Sequence, residues 1–290
     1  MLRALGSSMT REEEMEETGW AAYRLMADVE DVKNDPLTKE VVDEHAGNCW
    51  ADVNKSVMTY MIRGSGKLNV VLSHPDEIDT STWTREQYLT ELQGFYADVD
   101  PRALRLINLS KGPITNWPVH QVAKLPAWTS WSGRSVLIGD AAHAMAFYLS
   151  MGVSLAIEDA TALGTALELH ALGPGTMPLA AAMSLFEKVR KPRAEKIRDA
   201  SLHAGAMLHL PPGRERDLQD QSAKADHAVT ESRQGDPLLD WISYGITDKT
   251  IRGDCYGYDV VVEMRRQAHE DGILVSKIKQ EIFKDSASSK

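Results

Sequence analysis

The sequence predicts a mixed α/β fold in which a β-sheet is followed by a strand–helix unit and by long carboxyl-terminal helices. Three observations predict it. Two apolar, β-branched runs flank the turn at 64–66, as in a β-hairpin. A short apolar run at 135–138, typical of a buried parallel strand, leads through small residues into a helical pattern that begins near Gly152. A second helical pattern extends over 179–208, with Pro192 expected to kink it.

The first half of the chain is predicted to contain most of the sheet. Its predicted elements, in order, are a strand at 18–26, a helical excursion at 30–45 broken at Pro36, hairpin strands at 56–63 and 67–73, a helix capped by Thr84 and Gln87, a helix at 101–109 and a strand at 117–123. The G-S-G-K of the hairpin is not expected to bind phosphate, because a strand and not a helix follows it.

These patterns divide the chain into predicted regions. They are a polar lead-in at 1–17, a sheet domain at 18–125, a strand–helix domain at 126–210, a loop at 211–236, and a helical segment with a polar tail at 237–290.

Composition excludes several classes of protein. A net charge of −10 argues against a nucleic-acid partner, since phosphate binding needs a basic face. The basic stretch at 188–198 is expected to be a solvated helix face. No apolar run approaches a membrane span, and the acidic start does not resemble a signal peptide. Cys49 and Cys255, far apart, exclude a disulfide scaffold or a thiolate metal site. We therefore expect a cytoplasmic protein without a metal or membrane partner.

The strand–loop–helix unit carries a candidate binding site. Asp140 lies at the predicted carboxyl end of the strand at 135–138, and a carboxylate is suited to accept hydrogen bonds from ligand hydroxyls. The helix that begins at Gly152 offers unpaired N–H groups to an electron-rich atom. Together they predict a polyhydroxylated, partly anionic cofactor, although an ordinary strand–helix unit with Asp140 as a turn residue remains the alternative.

The strings G-D-A-A-H-A-M, at 139–145, and M-G-V-S-L-A-I-E-D-A, at 151–160, resemble a known motif. It is the second flavin-binding motif of the single-component FAD-dependent aromatic hydroxylases, the salicylate-hydroxylase-like family. The resemblance implies that 126–210 is the carboxyl-terminal strand–helix part of a Rossmann-like FAD-binding domain. It implies FAD as cofactor, with Asp140 on the ribityl chain and the backbone amides of Gly152 and Val153 facing the flavin pyrimidine ring. This chain departs from the family at Phe147, usually proline, and at Met151, usually glutamine.

Two earlier stretches, T-G-W-A-A-Y-R and M-T-Y-M-I-R-G, resemble strands of the substrate domain in the same family, which includes fungal phenol hydroxylases that dearomatise their ring. The resemblance implies that Arg24 and Tyr60 hold the substrate phenolate. Chemistry supports this independently, because ring hydroxylation needs an electron-rich ring and a guanidinium with a phenol O–H stabilises the anion. Alternatively, Arg24 is a solvated charge at the edge of the sheet, and Tyr60 is a half-buried residue that only packs against its neighbours.

Other polar residues near the motif receive no catalytic role. His143 is expected to be structural, and Glu158 and Asp159 are expected to be polar positions that complement the helix dipole near its start.

The sequence therefore predicts a monooxygenase that hydroxylates a phenolic small molecule with FAD, NAD(P)H and O2, in a secondary-metabolism setting. The alternatives from other classes are a non-catalytic binding module and a flavin-free isomerase or cyclase that uses Arg24 and Tyr60. The family's G-x-G-x-x-G segment, which holds the ADP half of FAD, does not occur in this sequence. We thus expect a fragment, a chain that associates with a separate amino-terminal half or with itself, or a remnant without redox function.

Overall fold

The computed structural model describes residues 14–42, 47–171, 177–224 and 249–273. The chain forms two compact units. The described residues of the first unit are 14–16, 121–171, 177–202 and 249–273, and those of the second are 17–42, 47–120 and 203–224.

The second unit is built on a five-stranded sheet with the order β2-β3-β4-β1-β5. Its strands are β1 (Met15–Asp28), β2 (Asn48–Asp52), β3 (Lys55–Ile62), β4 (Lys67–Pro75) and β5 (Ser110–Val122). The pairs β1–β4, β2–β3 and β3–β4 are antiparallel. All the predicted strands of this half are confirmed, and β2 is an addition.

One face of the sheet packs against helices. Alternate residues of each strand point to this face, so Tyr23, Leu25, Val57, Val70 and Leu72 are almost fully buried. They pack against α2 (Arg85–Phe95) and α3 (Pro101–Leu109), while α1 (Val29–Asn34) and a 3-10 helix (Lys39–Val42) follow β1. The opposite face carries the intervening residues, which include the candidate substrate residues described below.

The predicted capping box of α2 is confirmed. The Gln87 backbone N–H donates to Thr84 Oγ1 at 3.4 Å, and the Thr84 N–H donates to Gln87 Oε1 at 2.7 Å. Thr84→Ala removes one of these bonds, so we expect the free energy of unfolding to fall by about 1 kcal/mol in urea titrations. Thr90→Ala, an exposed threonine inside the same helix, is the control and should change it by less than about 0.5 kcal/mol. An equal effect at both positions would contradict the capping role.

The first unit is helical in its described part. Its helices are α4 (Asp140–His143), α5 (Gly152–Ala171), α6 (Leu179–Leu208, whose last residues lie in the second unit), α8 (Lys249–Tyr256) and α9 (Val260–Glu270), while α7 (Arg214–Lys224) belongs to the second unit. The long helix and the start of α5 agree with the sequence. Trp128, 1% exposed, packs against His143 and Phe186 in this unit's core.

The predicted parallel strand at 135–138 does not form. Val136 instead makes an isolated antiparallel bridge with Thr129, and the Leu137 N–H donates to Trp128 O at 2.9 Å. Ile138 is 39% exposed. A parallel strand needs a neighbouring strand for its hydrogen bonds, and among the described residues this run has only the single antiparallel bridge to Thr129. The mixed α/β class is nevertheless confirmed.

Two further expectations are corrected. The apolar residues at helical spacing in α5 predict a buried face of Leu155, Ala156, Ala160, Leu163 and Leu167. The structure buries Leu155 but also Asp159 and Ala166, and it exposes Ala160 and Leu167. Helix α7 occupies part of the loop predicted at 211–236. The rest of that loop, most of the loop that G-P-G-T-M-P predicts at 173–178 and the carboxyl-terminal tail lie outside the described residues. Among the described helices, none is long and apolar enough to cross a membrane.

Candidate functional site

Asp140 projects from a turn that only glycine can form easily. Gly139 has φ 58° and ψ −144°, a combination that a side chain disfavours, and its N–H donates to Asp159 Oδ2 at 2.9 Å. This turn fixes the position of the next residue. The Asp140 carboxylate is exposed and has no side-chain hydrogen bond or ion pair among the described residues, so it is available as an acceptor.

The amino terminus of α5 supplies donors next to this turn. Its first backbone bond runs from the Leu155 N–H to Met151 O at 2.9 Å, so the N–H groups of 152–154 have no partner within the helix. Val153 is 75% exposed, and a Cβ added at Gly152 would meet open space. A Cβ built at Gly139 would lie 3.5 Å from Ala156 Cβ, which places the turn beside α5. An acceptor and unpaired donors side by side fit the polyol and ring of a flavin.

A buried polar network holds this arrangement in place. Asp159 is fully buried, and besides Gly139 it accepts from His143 Nε2 at 2.6 Å and from Arg190 Nε at 2.9 Å. Burial opposes ionisation of Asp159, but the hydrogen bonds from His143, Gly139 and Arg190 outweigh it and hold the pKa of this carboxyl below its usual range. His143 thus has a structural role, as expected.

The arginines of α6 complete the network. Arg190, fully buried, donates to Glu158 Oε2 at 2.6 Å, and Arg193 donates to the same carboxylate at 2.9 and 3.1 Å. Arg193 also lies 4.0 Å from the ring centroid of Tyr258.

The predicted solvated basic face is confirmed for Lys188 and Lys196, which are exposed, but not for Arg190, which is buried. The expectation that Glu158 and Asp159 only complement the helix dipole was wrong, because both are ion-pair partners of Arg190. Sequence patterns missed this because ion-pair partners more than 30 residues apart leave no local periodicity.

Arg24 and Tyr60 share one face of the sheet in the second unit. Arg24 on β1 lies opposite Val71 of β4. Tyr60 on β3 lies opposite Asn69 of β4, two residues before Val71. Because side chains alternate along a strand, both residues lie on the face opposite the helices. Tyr60 is 43% exposed and Arg24 is also exposed. The structure therefore places these two predicted residues on the same face, on the two strands that flank β4.

The charge of Arg24 is not neutralised by an acid. Its Nε donates to Asn69 Oδ1 at 2.9 Å, and no carboxylate in the described parts of the chain forms an ion pair with it. Such a guanidinium retains its full attraction for a ligand anion.

A histidine that the sequence did not single out lies on the same face. His209 stacks on Trp20 with ring centroids 4.1 Å apart and shares a hydrogen bond with Ser56 Oγ at 3.0 Å. Burial lowers the pKa of His209 to about 4, so it is neutral at physiological pH. The stacked rings of Trp20 and His209 give this face an aromatic region beside the polar residues Arg24 and Asn69.

Comparison with known proteins identifies the family. Residues 7–201 match the family described as FAD binding domain. The chain belongs to this FAD-binding family. It is 32% identical over 243 residues to the FAD-dependent monooxygenase atnJ of Arthrinium sp., covering 81% of this chain and 56% of that protein. It is 29% identical over 203 residues to a salicylate hydroxylase of Pseudomonas putida, covering 67% of this chain and 45% of that protein.

Solved structures of FAD-binding proteins share the fold. A salicylate hydroxylase substrate complex superposes with a TM-score of 0.64 at 24% identity, covering 92% of this chain and 60% of the other. The chain spans about half the length of the curated relatives that it matches. The resemblance drawn from the flavin motif is thus confirmed, whereas the roles of the individual site residues stay predictions.

Proposed function

We propose that this chain takes part in FAD-dependent hydroxylation of a phenolic ring, with reduced nicotinamide as the electron donor. The observation that carries the proposal is the Asp140 turn set beside the unpaired N–H groups of α5, in a chain of the FAD-binding family. The relatives named as monooxygenases and aromatic hydroxylases support the reaction type.

Asp140, Gly152 and Val153 would hold the middle of the cofactor. The carboxylate accepts hydrogen bonds from ribityl hydroxyls, and the two backbone N–H groups donate to the electron-rich edge of the pyrimidine ring. FAD, when bound, supplies the redox chemistry that activates O2. The network around Asp159 holds the Gly139 turn and the start of α5 in place before the cofactor binds. Binding therefore does not have to order these two segments.

Arg24 and Tyr60 would bind the substrate as its phenolate. The guanidinium and the phenol O–H both donate to the anionic oxygen, which favours the ionised, electron-rich form of the ring. In the overall reaction one oxygen atom of O2 replaces a ring hydrogen as a hydroxyl group. The other leaves as water, and the nicotinamide provides two electrons.

Further features of the proposal concern its setting. We propose secondary metabolism as the setting in which a varied phenolic substrate is expected. Cys49 and Cys255 are both free thiols, which supports a reducing compartment such as the cytoplasm.

Flavin binding tests the first half of the proposal. We expect the purified chain to bind FAD, measured by flavin fluorescence, and Asp140→Ala to weaken binding by about 10- to 150-fold, since a hydrogen bond to a charged group contributes about 1.5–3 kcal/mol. Asp76→Ala, an exposed aspartate of the second unit, is the matched control and should leave the affinity unchanged.

Substrate-dependent oxidation of NADH or NADPH tests the second half, using a panel of phenols that includes salicylate and 3-hydroxybenzoate. A colourless chain that takes up no FAD but binds these phenols would replace this proposal with the binding module.

A further inference from the structure

Asn69 lies at the centre of the sheet face that carries Arg24 and Tyr60. It lies on β4, directly across from Tyr60 on β3 and from Met26 on β1, and it is fully buried. Asparagine is uncommon in the interior of a strand. Its side chain shares the face of Arg24 and Tyr60, and its Oδ1 accepts from Arg24 Nε at 2.9 Å.

This contact fixes the orientation of the Asn69 amide. A guanidinium can only donate, so the amide oxygen must face Arg24 and the Nδ2 group must face away. Asn69 Nδ2 is buried and has no acceptor among the described residues. A buried donor without a partner destabilises the fold, because it has lost its hydrogen bonds to water. A ligand oxygen at this point would remove that cost.

The same contact leaves the outer end of Arg24 available. With Nε committed to Asn69, the two terminal nitrogens can form a fork toward an anion. An aspartate in place of Asn69 would still accept from Nε, but its charge would neutralise the guanidinium. The amide therefore orients Arg24 without reducing its attraction for a negative ligand.

We propose that Asn69 is a specificity residue for an ionised phenol. Its Oδ1 positions Arg24, and its Nδ2 donates to the same phenolate oxygen that Arg24 and Tyr60 bind. This inference rests on the proposed function, because it assumes that the face with Arg24 and Tyr60 receives the phenol. It adds a third donor that distinguishes a phenolate from its uncharged ether.

Two variants separate the roles of Asn69. Asn69→Asp keeps the acceptor for Arg24 but removes the donor and adds a charge. Asn69→Leu removes both polar groups at similar volume, and because it eliminates a buried unpaired donor it should fold at least as well as the wild type. Asn48→Leu is the matched control, since Asn48 is a strand asparagine on the opposite face that donates to Val41 O at 3.0 Å.

The probe is 4-nitrophenol, whose phenolate absorbs visible light, with 4-nitroanisole as the uncharged ether. Difference spectra are recorded against the same FAD-supplemented full chain without probe. In the wild type we expect bound nitrophenol to ionise at a lower pH than the free phenol. Both Asn69 variants should lose this shift and bind nitrophenolate at least tenfold more weakly, while their 4-nitroanisole affinity changes less than twofold. Asn48→Leu should keep the shift.

Nitrophenolate affinities within twofold of the wild type in both Asn69 variants would overturn the role of Asn69 and leave the phenolate site intact. A wild type that binds the phenol no better than the ether, although it binds FAD, would contradict the phenolate site itself, and the role of Asn69 with it.

Discussion

Arg24→Gln is expected to weaken phenolate binding by about 10- to 150-fold while FAD affinity stays unchanged. The substitution removes a positive charge that no described carboxylate neutralises, and a hydrogen bond to a charged group contributes about 1.5–3 kcal/mol. Glutamine is shorter and uncharged but keeps the first part of the aliphatic stem of an exposed side chain, so loss of packing is small. Binding is measured by titration with the phenols of the panel at a pH where they are ionised.

The effect of Arg24→Gln should depend on ligand charge. A phenol methyl ether makes no contact that requires the guanidinium, so its affinity should change less than twofold. Arg63→Gln is the matched control, because Arg63 is an exposed arginine that directly follows β3. Equal losses for phenolate and ether, or for both arginines, would remove Arg24 from the substrate site and assign it to the solvated edge of the sheet.

Asp159→Asn is expected to reduce the free energy of unfolding of the first unit by about 3–5 kcal/mol at neutral pH. The substitution leaves the buried guanidinium of Arg190 with only Glu158 as a charged partner, and breaking a buried pair by removing one member costs this much. The Gly139 turn loses an ionised acceptor in the same step. FAD affinity should therefore fall together with stability. Urea unfolding and flavin fluorescence measure the two effects.

The pH dependence of stability gives an independent check on Asp159. Its pKa is lower in the folded chain than the value of about 3.9 in an unfolded one, so the carboxylate stabilises the fold at pH values above that range. This contribution is lost as the pH falls through the folded-state pKa. The stability of Asp159→Asn should thus change less between neutral and acidic pH than that of the wild type. Glu168→Gln, on the exposed side of α5, should match the wild type.

A loss of less than about 1 kcal/mol in Asp159→Asn, with the pH profile unchanged, would show that the network does not hold the turn.

Local signals in the sequence were sufficient for much of the second unit. The hairpin at 56–73, the capping box at Thr84 and the bounds of α3 depend on alternation, caps and turn residues, all of which lie within a few positions of each other. Strand β2 was missed because it has only five residues. The sequence signal for it was the turn between β2 and β3, where Asn54 has φ 58°, a conformation that asparagine adopts more readily than most residues.

The remaining errors concern interactions between distant parts of the sequence. The run at 135–138 has the composition of a parallel strand, but a strand forms only where a neighbour pairs with it. Asp159 and Arg190 look like surface charges in sequence, yet each is buried because the other is its partner. Arg24 and Tyr60 were found through a family resemblance, whereas Asn69 becomes visible only when the register of β4 places it between them.

Incorporation of labelled oxygen tests the central claim most directly. The chain, supplied with FAD, reduced nicotinamide and each phenol of the panel under ¹⁸O2, is predicted to oxidise the nicotinamide faster when a phenol that it hydroxylates is present. Mass spectrometry should then show one ¹⁸O atom in the hydroxylated product, and Arg24→Gln should form much less of it. A chain that binds FAD but yields no labelled product from any phenol it binds, or whose product carries oxygen from water, would contradict the account.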